Sequence, residues 1–309
     1  MKKSKILITG VSGLIGSQLS QLALSRGYDV TGLARSNITK LEAELDIPII
    51  ELDLLCDFNS IPFFDTIIHC ATANDIISKN STLGYELSVM GTQKLLTVAK
   101  NIGVKNFIYM STAQVYGTEL SGKFSIDTIV NCETEYALNH YLGEEICRHY
   151  SKRYGMNIII IRPSNVFGEA LISTVNREAL VPNCFISQII SKQKIVIKSS
   201  GNQMRDFISN ENLSEIILDN LGHIPEGYSI VNAASGHSLS IRDIADLVLY
   251  VYEKEYGVTG KIFAESTLPK KSNYFEIILD NNNSKKIYKE YKNDINSIIA
   301  KILRKKIQT

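Results

Sequence analysis

Short apolar runs and helical patterns alternate along the first 170 residues. Lys5–Thr9 is predicted as a strand, and Leu14–Arg26 as a helix that stops at Gly27. Asp29–Leu33 and Ile49–Leu52 read as further strands. Thr66–Cys70 is a continuous apolar run, the pattern of a strand buried on both faces. A long helix is expected over Thr82–Asn101 and a strand over Asn106–Met110. A second long helix follows over Glu133–Tyr154, then a strand over Asn157–Ile161. This alternation predicts an α/β fold, a Rossmann-type doubly wound parallel sheet with helices on both faces.

After Phe167 the pattern weakens. A loop-rich stretch runs to about Pro182, followed by a helix near Cys184–Lys192 and a strand at Ile195–Ile197. Helices fit Ile241–Glu255 and Ile295–Lys305. The expected organisation is a larger domain over residues 1–170 and a smaller C-terminal α/β lobe over 171–309. No Pro/Ser/Gly linker separates them, so the boundary is soft and the chain is free to cross between lobes.

Composition narrows the class. The 309 residues are 44% hydrophobic and 21% charged, enough apolar material for a core and too little charge for disorder. Lys+Arg is 33 against Asp+Glu 32, a balance that argues against a nucleic-acid binder. The balance is uneven along the chain. From Lys285 to Thr309 eight basic residues face two acids, +6, which leaves −5 on the rest. Ile295, Ile298, Ile299, Ile302 and Leu303 make this tail amphipathic, a helix packed on the smaller lobe or laid on an anionic membrane surface. Five cysteines without a C-x-x-C pair point to a reducing compartment. The apolar run after the basic start stops at Gly10, too short for a signal peptide, and no stretch is long enough to span a membrane. A cytoplasmic protein is expected. No His, Cys or carboxylate set has metal-ligand spacing.

The glycine pattern carries the first chemistry. Gly10, Gly13 and Gly16 form G-x-x-G-x-x-G between the first strand and the first helix. Such a loop turns tightly, lets the backbone approach a pyrophosphate, and presents a helix N-terminus to it. Gly10, Ser12, Gly13, Leu14, Ile15 and Gly16 are therefore candidate cofactor contacts. The end of the second strand, where an acid would select NAD, reads Ala34-Arg35-Ser36. Arg35 and Ser36 suit the 2′-phosphate of NADP, although Arg35 as a solvated surface residue stays open. Asp53, followed by Leu54 at the end of the third strand, is a candidate acceptor for the adenine amine or a plain turn residue.

Two further segments sharpen the reading: Phe107-Ile-Tyr-Met-Ser111-Thr112-Ala-Gln114-Val-Tyr-Gly117 and Tyr136-Ala-Leu-Asn-His140. Together with the glycine loop, Ile68-His69-Cys70-Ala71, Arg162-Pro163-Ser-Asn165-Val-Phe-Gly168 and Gln203-Met-Arg205-Asp206-Phe207, they resemble the extended short-chain dehydrogenase/reductase family. The likeness runs from about residue 5 to residue 250. Its members include nucleotide-sugar epimerases, 4,6-dehydratases and 4-ketoreductases. The resemblance implies that Tyr136 moves a proton at the sugar oxygen and that Thr112 hydrogen-bonds that oxygen. It also places Cys70, Ala71 and Pro163 along the cofactor, and Gln114, Asn165 and Arg205 on the nucleotide sugar. A homodimer through helices 82–101 and 133–154 is implied as well.

The sequence departs from the family pattern Y-x-x-x-K at His140. Positions i and i+4 share a helix face, so the geometry survives. A lysine ammonium lowers the tyrosine pKa; a histidine, with an unperturbed pKa of about 6.5, is only partly charged near neutrality. His140 can take the lysine's part, slow the enzyme, or mark a silent binding protein. The dehydratases carry an Asp-Glu pair where this chain has Ala113-Gln114, which disfavours elimination. The first expectation is an NADPH-dependent reductase of a nucleotide-linked 4-keto-6-deoxyhexose. The alternatives are an NAD-dependent nucleotide-sugar 4-epimerase and a catalytically weak NADP(H)- or nucleotide-sugar-binding protein.

Overall fold

The computed structural model describes residues 3–118, 122–175, 177–222, 224–264, 275–277 and 295–308. The first half winds as β1 (Lys5–Thr9), α1 (Leu14–Ser25), β2 (Asp29–Ala34), α2 (Ile38–Leu45), β3 (Ile49–Glu51) and β4 (Thr66–His69). Next come α3 (Ser81–Tyr85), a π-helical turn (Glu86–Met90) and α4 (Gly91–Asn101), then β5 (Asn106–Met110), β6 (Gly122–Phe124), α5 (Glu135–Tyr154), β7 (Asn157–Pro163) and β8 (Asn165–Phe167). The second half carries α6 (Val181–Lys192), β9 (Lys194–Ile197), β10 (Met204–Ser209), α7 (Asn210–Leu221), β11 (Tyr228–Ala233), β12 (Ser238–Ser240), α8 (Ile241–Tyr256), β13 (Lys261–Ala264), β14 (Phe275–Ile277) and α9 (Ile295–Gln308).

Seven parallel strands form the main sheet in the order β3-β2-β1-β4-β5-β7-β11. β4 and most of β7 are buried, as their continuous apolar runs require when helices cover both faces. One apolar cluster joins α1, α2 and α7 to one face of the sheet; another joins α4 and α5 to the other. β11 is an edge strand of the main sheet, and α7 packs on α1. The smaller lobe holds β8-β10-β12, β9-β13 and a third apolar cluster under α6, α8 and α9.

The helix expected over 82–101 is interrupted by the π turn, which Ser88 and Thr92 tie to the strand ends, as described below. The cations of α9 are partly exposed but each meets an acid. Lys301 pairs with Glu211, Arg304 with Glu255 (2.7 Å), Lys305 with Glu169 (2.8 Å) and Lys306 with Glu178 (2.8 Å). Lys285, Lys286, Lys289 and Lys292, also counted in that tail, lie outside the described residues. Among the described residues no helix is long and apolar enough to cross a membrane.

Candidate active site

A cleft of about 510 Å³ opens at the carboxyl ends of the central strands, between the sheet and the smaller lobe. Its floor begins at the glycine loop. Gly10 has φ +72°, and a Cβ there would sit 2.9 Å from the Ala71 amide nitrogen. A Cβ on Gly16 would lie 2.3 Å from the Gly10 carbonyl oxygen. The loop thus fits tightly between β4 and α1 and leaves space only on its cleft side. The N-cap of α1 is Gly13, with no side chain to satisfy the first-turn amides. Those amides and the helix dipole fit a pyrophosphate, so the chain's residues suit a dinucleotide. Gly10, Gly13, Leu14, Ile15 and Gly16 line the cleft, whereas Ser12 is exposed outside its wall.

Arg35 and Ser36 are exposed just past the end of β2, outside the cleft lining; before them, the Leu33 carbonyl accepts from the Gly10 amide (3.1 Å). Asp53 builds a turn: its Oδ1 accepts from the Leu55 amide (2.9 Å). Leu54 turns its side chain into the core, 3% exposed, against Gly91, leaving its backbone for any adenine contact.

The wall at Cys70 and Ala71 is set by a residue the sequence reading quoted without a role, His69. Both amides donate to Thr9 Oγ1 (3.2 Å each), and Thr9 Oγ1 meets His69 Nδ1 (2.7 Å). Across the ring, Nε2 meets Thr92 Oγ1 (3.0 Å), whose own proton goes to the Ser88 carbonyl (2.6 Å). Thr92 therefore accepts, His69 carries its proton on Nε2, and Nδ1 accepts from Thr9. Burial, helped by His140, holds His69 down at about 3, so the ring is neutral. The Ala73 amide donates to Ser88 Oγ (2.9 Å), which ties the π turn to the same wall.

Tyr136, His140 and Thr112 come together. Thr134 caps α5 by accepting from the Ala137 amide (3.1 Å), which puts Tyr136 in the first turn and His140 one turn on. Thr112 Oγ1 accepts from the Gln114 amide (3.2 Å) and lies near enough to the Tyr136 hydroxyl to favour its anion. Loss of water around Tyr136 raises its pKa, and the nearby Thr112 hydroxyl opposes that only in part. His140 is 2% exposed, and its ring stands edge-on to Tyr136 at 4.6 Å between centroids. Burial lowers its pKa to about 4. The backbones of Met110 and Ala73 come close enough to pull against this, yet neither ring nitrogen completes a hydrogen bond.

Beneath this pair lies a buried ion pair. Glu144, two turns along α5 from Tyr136, receives Arg162 Nη2 (2.6 Å) and Nε (3.0 Å), and Ser111 Oγ donates to it. Arg162 also donates to Tyr116 Oη (3.0 Å), which donates to Asn232 Oδ1 (2.7 Å). Ser111 precedes Thr112, so this network fixes α5 against the strand end that carries the threonine. The periodic reading missed it because Glu144 and Arg162 announce themselves only as a charged residue in a helix and one beside a proline.

Gln114, Pro163, Asn165 and Arg205 also line the cleft. Asn165 Nδ2 donates to the Asp206 carbonyl (2.9 Å), and Arg205 Nη1 to that of Met204 (2.9 Å). Buried Asp206 accepts from Ser164 Oγ (2.6 Å), the Ser235 amide (2.9 Å) and Ser235 Oγ (2.8 Å), pinning β10 to the loop after β11. Sequence reading also missed Asp75 and Arg177, which face each other at 3.8 Å on the cleft wall and act on the Tyr136 charge in opposite directions. Nothing local marks either.

A glycine loop aimed into a cleft that also holds a Tyr–Thr pair defines an enzyme of the dinucleotide-binding Rossmann class, in its extended short-chain dehydrogenase/reductase branch. The chain belongs to the NAD dependent epimerase/dehydratase family, whose model matches residues 6–234. It is 25% identical over 268 residues to a dTDP-4-dehydro-6-deoxy-D-allose reductase of Streptomyces bikiniensis, covering 80% of each chain. It is 25% identical over 288 residues to a UDP-glucose 4-epimerase of Vibrio cholerae, covering 87% of this chain and 84% of that one. A UDP-N-acetylglucosamine 4-epimerase of Methanobrevibacter ruminantium, solved with UDP-N-acetylmuramic acid, shares the fold. Its TM-score is 0.80 at 22% identity, over 100% of this chain and 99% of that one.

Proposed function

We propose that the chain is an NADPH-dependent reductase of a nucleotide-linked 4-keto-6-deoxyhexose. The observation that carries this reading is the setting of Tyr136: where the family pattern has a lysine ammonium, the buried ring of His140 packs edge-on at 4.6 Å between centroids. Burial raises the Tyr136 pKa, and the neighbouring His140 is neutral, so the phenol keeps its proton near neutral pH. A protonated Tyr136 is a general acid, and reducing a ketone requires a proton at the carbonyl oxygen. Oxidising a sugar hydroxyl, the opening step of an epimerisation, requires the phenolate instead. When bound, the nicotinamide supplies the hydride. Tyr136 gives its hydroxyl proton to the substrate oxygen, and Thr112 holds the phenol in place. Arg205, whose planar fork suits bidentate phosphate contacts, would grip the pyrophosphate, with Asn165 and Gln114 toward the sugar. Arg35 and Ser36 would take the 2′-phosphate of NADPH. Ala113 and Gln114 offer neither acid nor base for elimination.

The test is incubation with NADPH and a nucleotide-linked 4-keto-6-deoxyhexose. Stoichiometric loss of the reduced-nicotinamide absorbance is expected. A second reading, an NAD-dependent 4-epimerase, draws support from the epimerases among the relatives and would convert a sugar nucleotide with no net cofactor change. Tight NADP(H) binding without turnover would leave a binding protein. The homodimer through helices 82–101 and 133–154 stays part of the proposal. Tyr85, Met90 and Leu138 on those helices are 42–45% exposed, a high fraction for large apolar residues.

A further inference from the structure

The C-terminal helix α9 buries Ile295, Ile298, Ile299, Ile302 and Leu303 in the smaller lobe, which anchors it. Its last turn carries two lysines to the segment that follows β8. Lys305 Nζ donates to Glu169 Oε1 (2.8 Å) and to the Ala170 carbonyl (2.9 Å). The next residue, Lys306, donates to Glu178 Oε1 (2.8 Å) and to Ser187 Oγ (2.9 Å), and Ser187 Oγ itself donates to Glu178 (3.3 Å). Glu169 and Glu178 stand near the two ends of one stretch of chain. Arg177, Ala179 and Leu180, beside Glu178, are part of the cleft wall. Its described residues form no helix or strand, and the backbone bonds among them are local turns from Val175 to Ile172 and from Leu180 to Arg177.

We propose that Lys305 and Lys306 are positioning residues for the nucleotide-sugar end of the cleft: from an anchored helix they clasp both ends of the segment between Glu169 and Leu180 and hold its wall residues in place. The claim rests on the nucleotide-sugar reading of the cleft only for the identity of the ligand affected. The dinucleotide loop depends on β1, α1 and the Thr9–His69 contacts; the segment meets it through buried Ile172, which packs in the same apolar cluster as Val11, and through Asn210, which donates to Glu169 O (2.9 Å) and reaches Leu14 O (3.4 Å). Asn210 and buried Ile172 keep the Glu169 end attached when the lysines are removed. The effect should therefore fall most on the Glu178 end, and on sugar binding rather than dinucleotide binding.

The first test is amide hydrogen exchange of the full chain without ligands. Lys305→Ala/Lys306→Ala should speed exchange between residues 169 and 180 while leaving β1 and α1 unchanged. Unchanged exchange across that segment overturns the clasp. The second test is steady-state kinetics with the 4-keto-6-deoxyhexose nucleotide. The same variant should raise KM for the sugar nucleotide about three- to fivefold, the size that partly exposed ion pairs can supply. kcat and the KM for NADPH should stay put. Lys306→Glu should reproduce the defect, and Glu178→Lys added to it should restore the wild-type KM. An equal rise for both ligands, or no recovery on charge exchange, overturns the positioning role. If the wild-type chain turns over no sugar nucleotide, the functional reading fails, and the exchange experiment still decides the clasp.

Discussion

The rings of Tyr136 and His140 meet edge to face on successive turns of α5, 4.6 Å between centroids and 65° between planes. A ring that packs in this way supplies contact but no charge. Tyr136→Phe removes the proton donor and should cut turnover about 100- to 10,000-fold while dinucleotide binding persists. Single-turnover kinetics beside a binding titration separates the two.

Replacing the imidazole by an ammonium tests the proposed acid directly. His140→Lys should move the alkaline limb of the reductase pH profile down by about one to three units, because a nearby cation favours the phenolate. The same change should favour alcohol oxidation at neutral pH. A profile identical to wild type would mean that residue 140 does not act on Tyr136.

Two neutral buried histidines make the fold sensitive to acid. The unfolded chain takes up protons at His69 and His140 near pH 6.5; the folded chain does so only at about 3 and about 4. Between those limits the unfolded state binds more protons, so this contribution to stability is fully present above pH 6.5 and is lost as pH falls. The loss should be on the order of a few kcal/mol by pH 4. Urea midpoints from pH 7 to pH 4 measure it, and His140→Leu should flatten part of the slope.

Glu144→Gln leaves the Arg162 guanidinium buried, at 3% side-chain exposure, without its anion. Breaking a buried pair from one side should cost about 3–5 kcal/mol in urea unfolding. The paired replacement Glu144→Leu/Arg162→Met should cost less, since it leaves no unmatched charge.

Cofactor choice and cofactor fit are separable. Arg35→Ala should weaken NADPH at least about tenfold, as loss of a charge-assisted bond does, and leave NADH unaffected. Gly16→Ala should weaken both, because its Cβ would lie 2.3 Å from the Gly10 carbonyl. Calorimetric titration of each dinucleotide checks the pair.

Much of this molecule could be read from local pattern. β1, α1, β2, β4, β5, α5 and β7 follow from apolar runs and helical spacing, and the glycine loop and the Tyr136–His140 interval follow from neighbours in the chain. Other elements had signals that the expectation lacks. α7 repeats Leu213, Ile216 and Ile217 at helical spacing after a capping Ser209, whose hydroxyl accepts from the Asn212 amide (3.0 Å). The π turn gives no periodic sign at all. β11 reads weakly, yet it closes the sheet beside β7 because β7 left an open edge.

The residue sequence by itself determined the order of elements, the phosphate-binding turn and the presence of a tyrosine with a histidine one turn on, since these depend on spacing along a few turns of chain. Only the tertiary structure decided what those residues are. Desolvation makes His140 and His69 neutral, and burial joins Glu144 to Arg162. The cations of α9, which the sequence shows only as an excess of positive charge, meet Glu169, Glu178, Glu211 and Glu255 across about 50 to 135 residues of chain. Charge state and partnership depend on what surrounds a group in space, and no spacing along the chain encodes that.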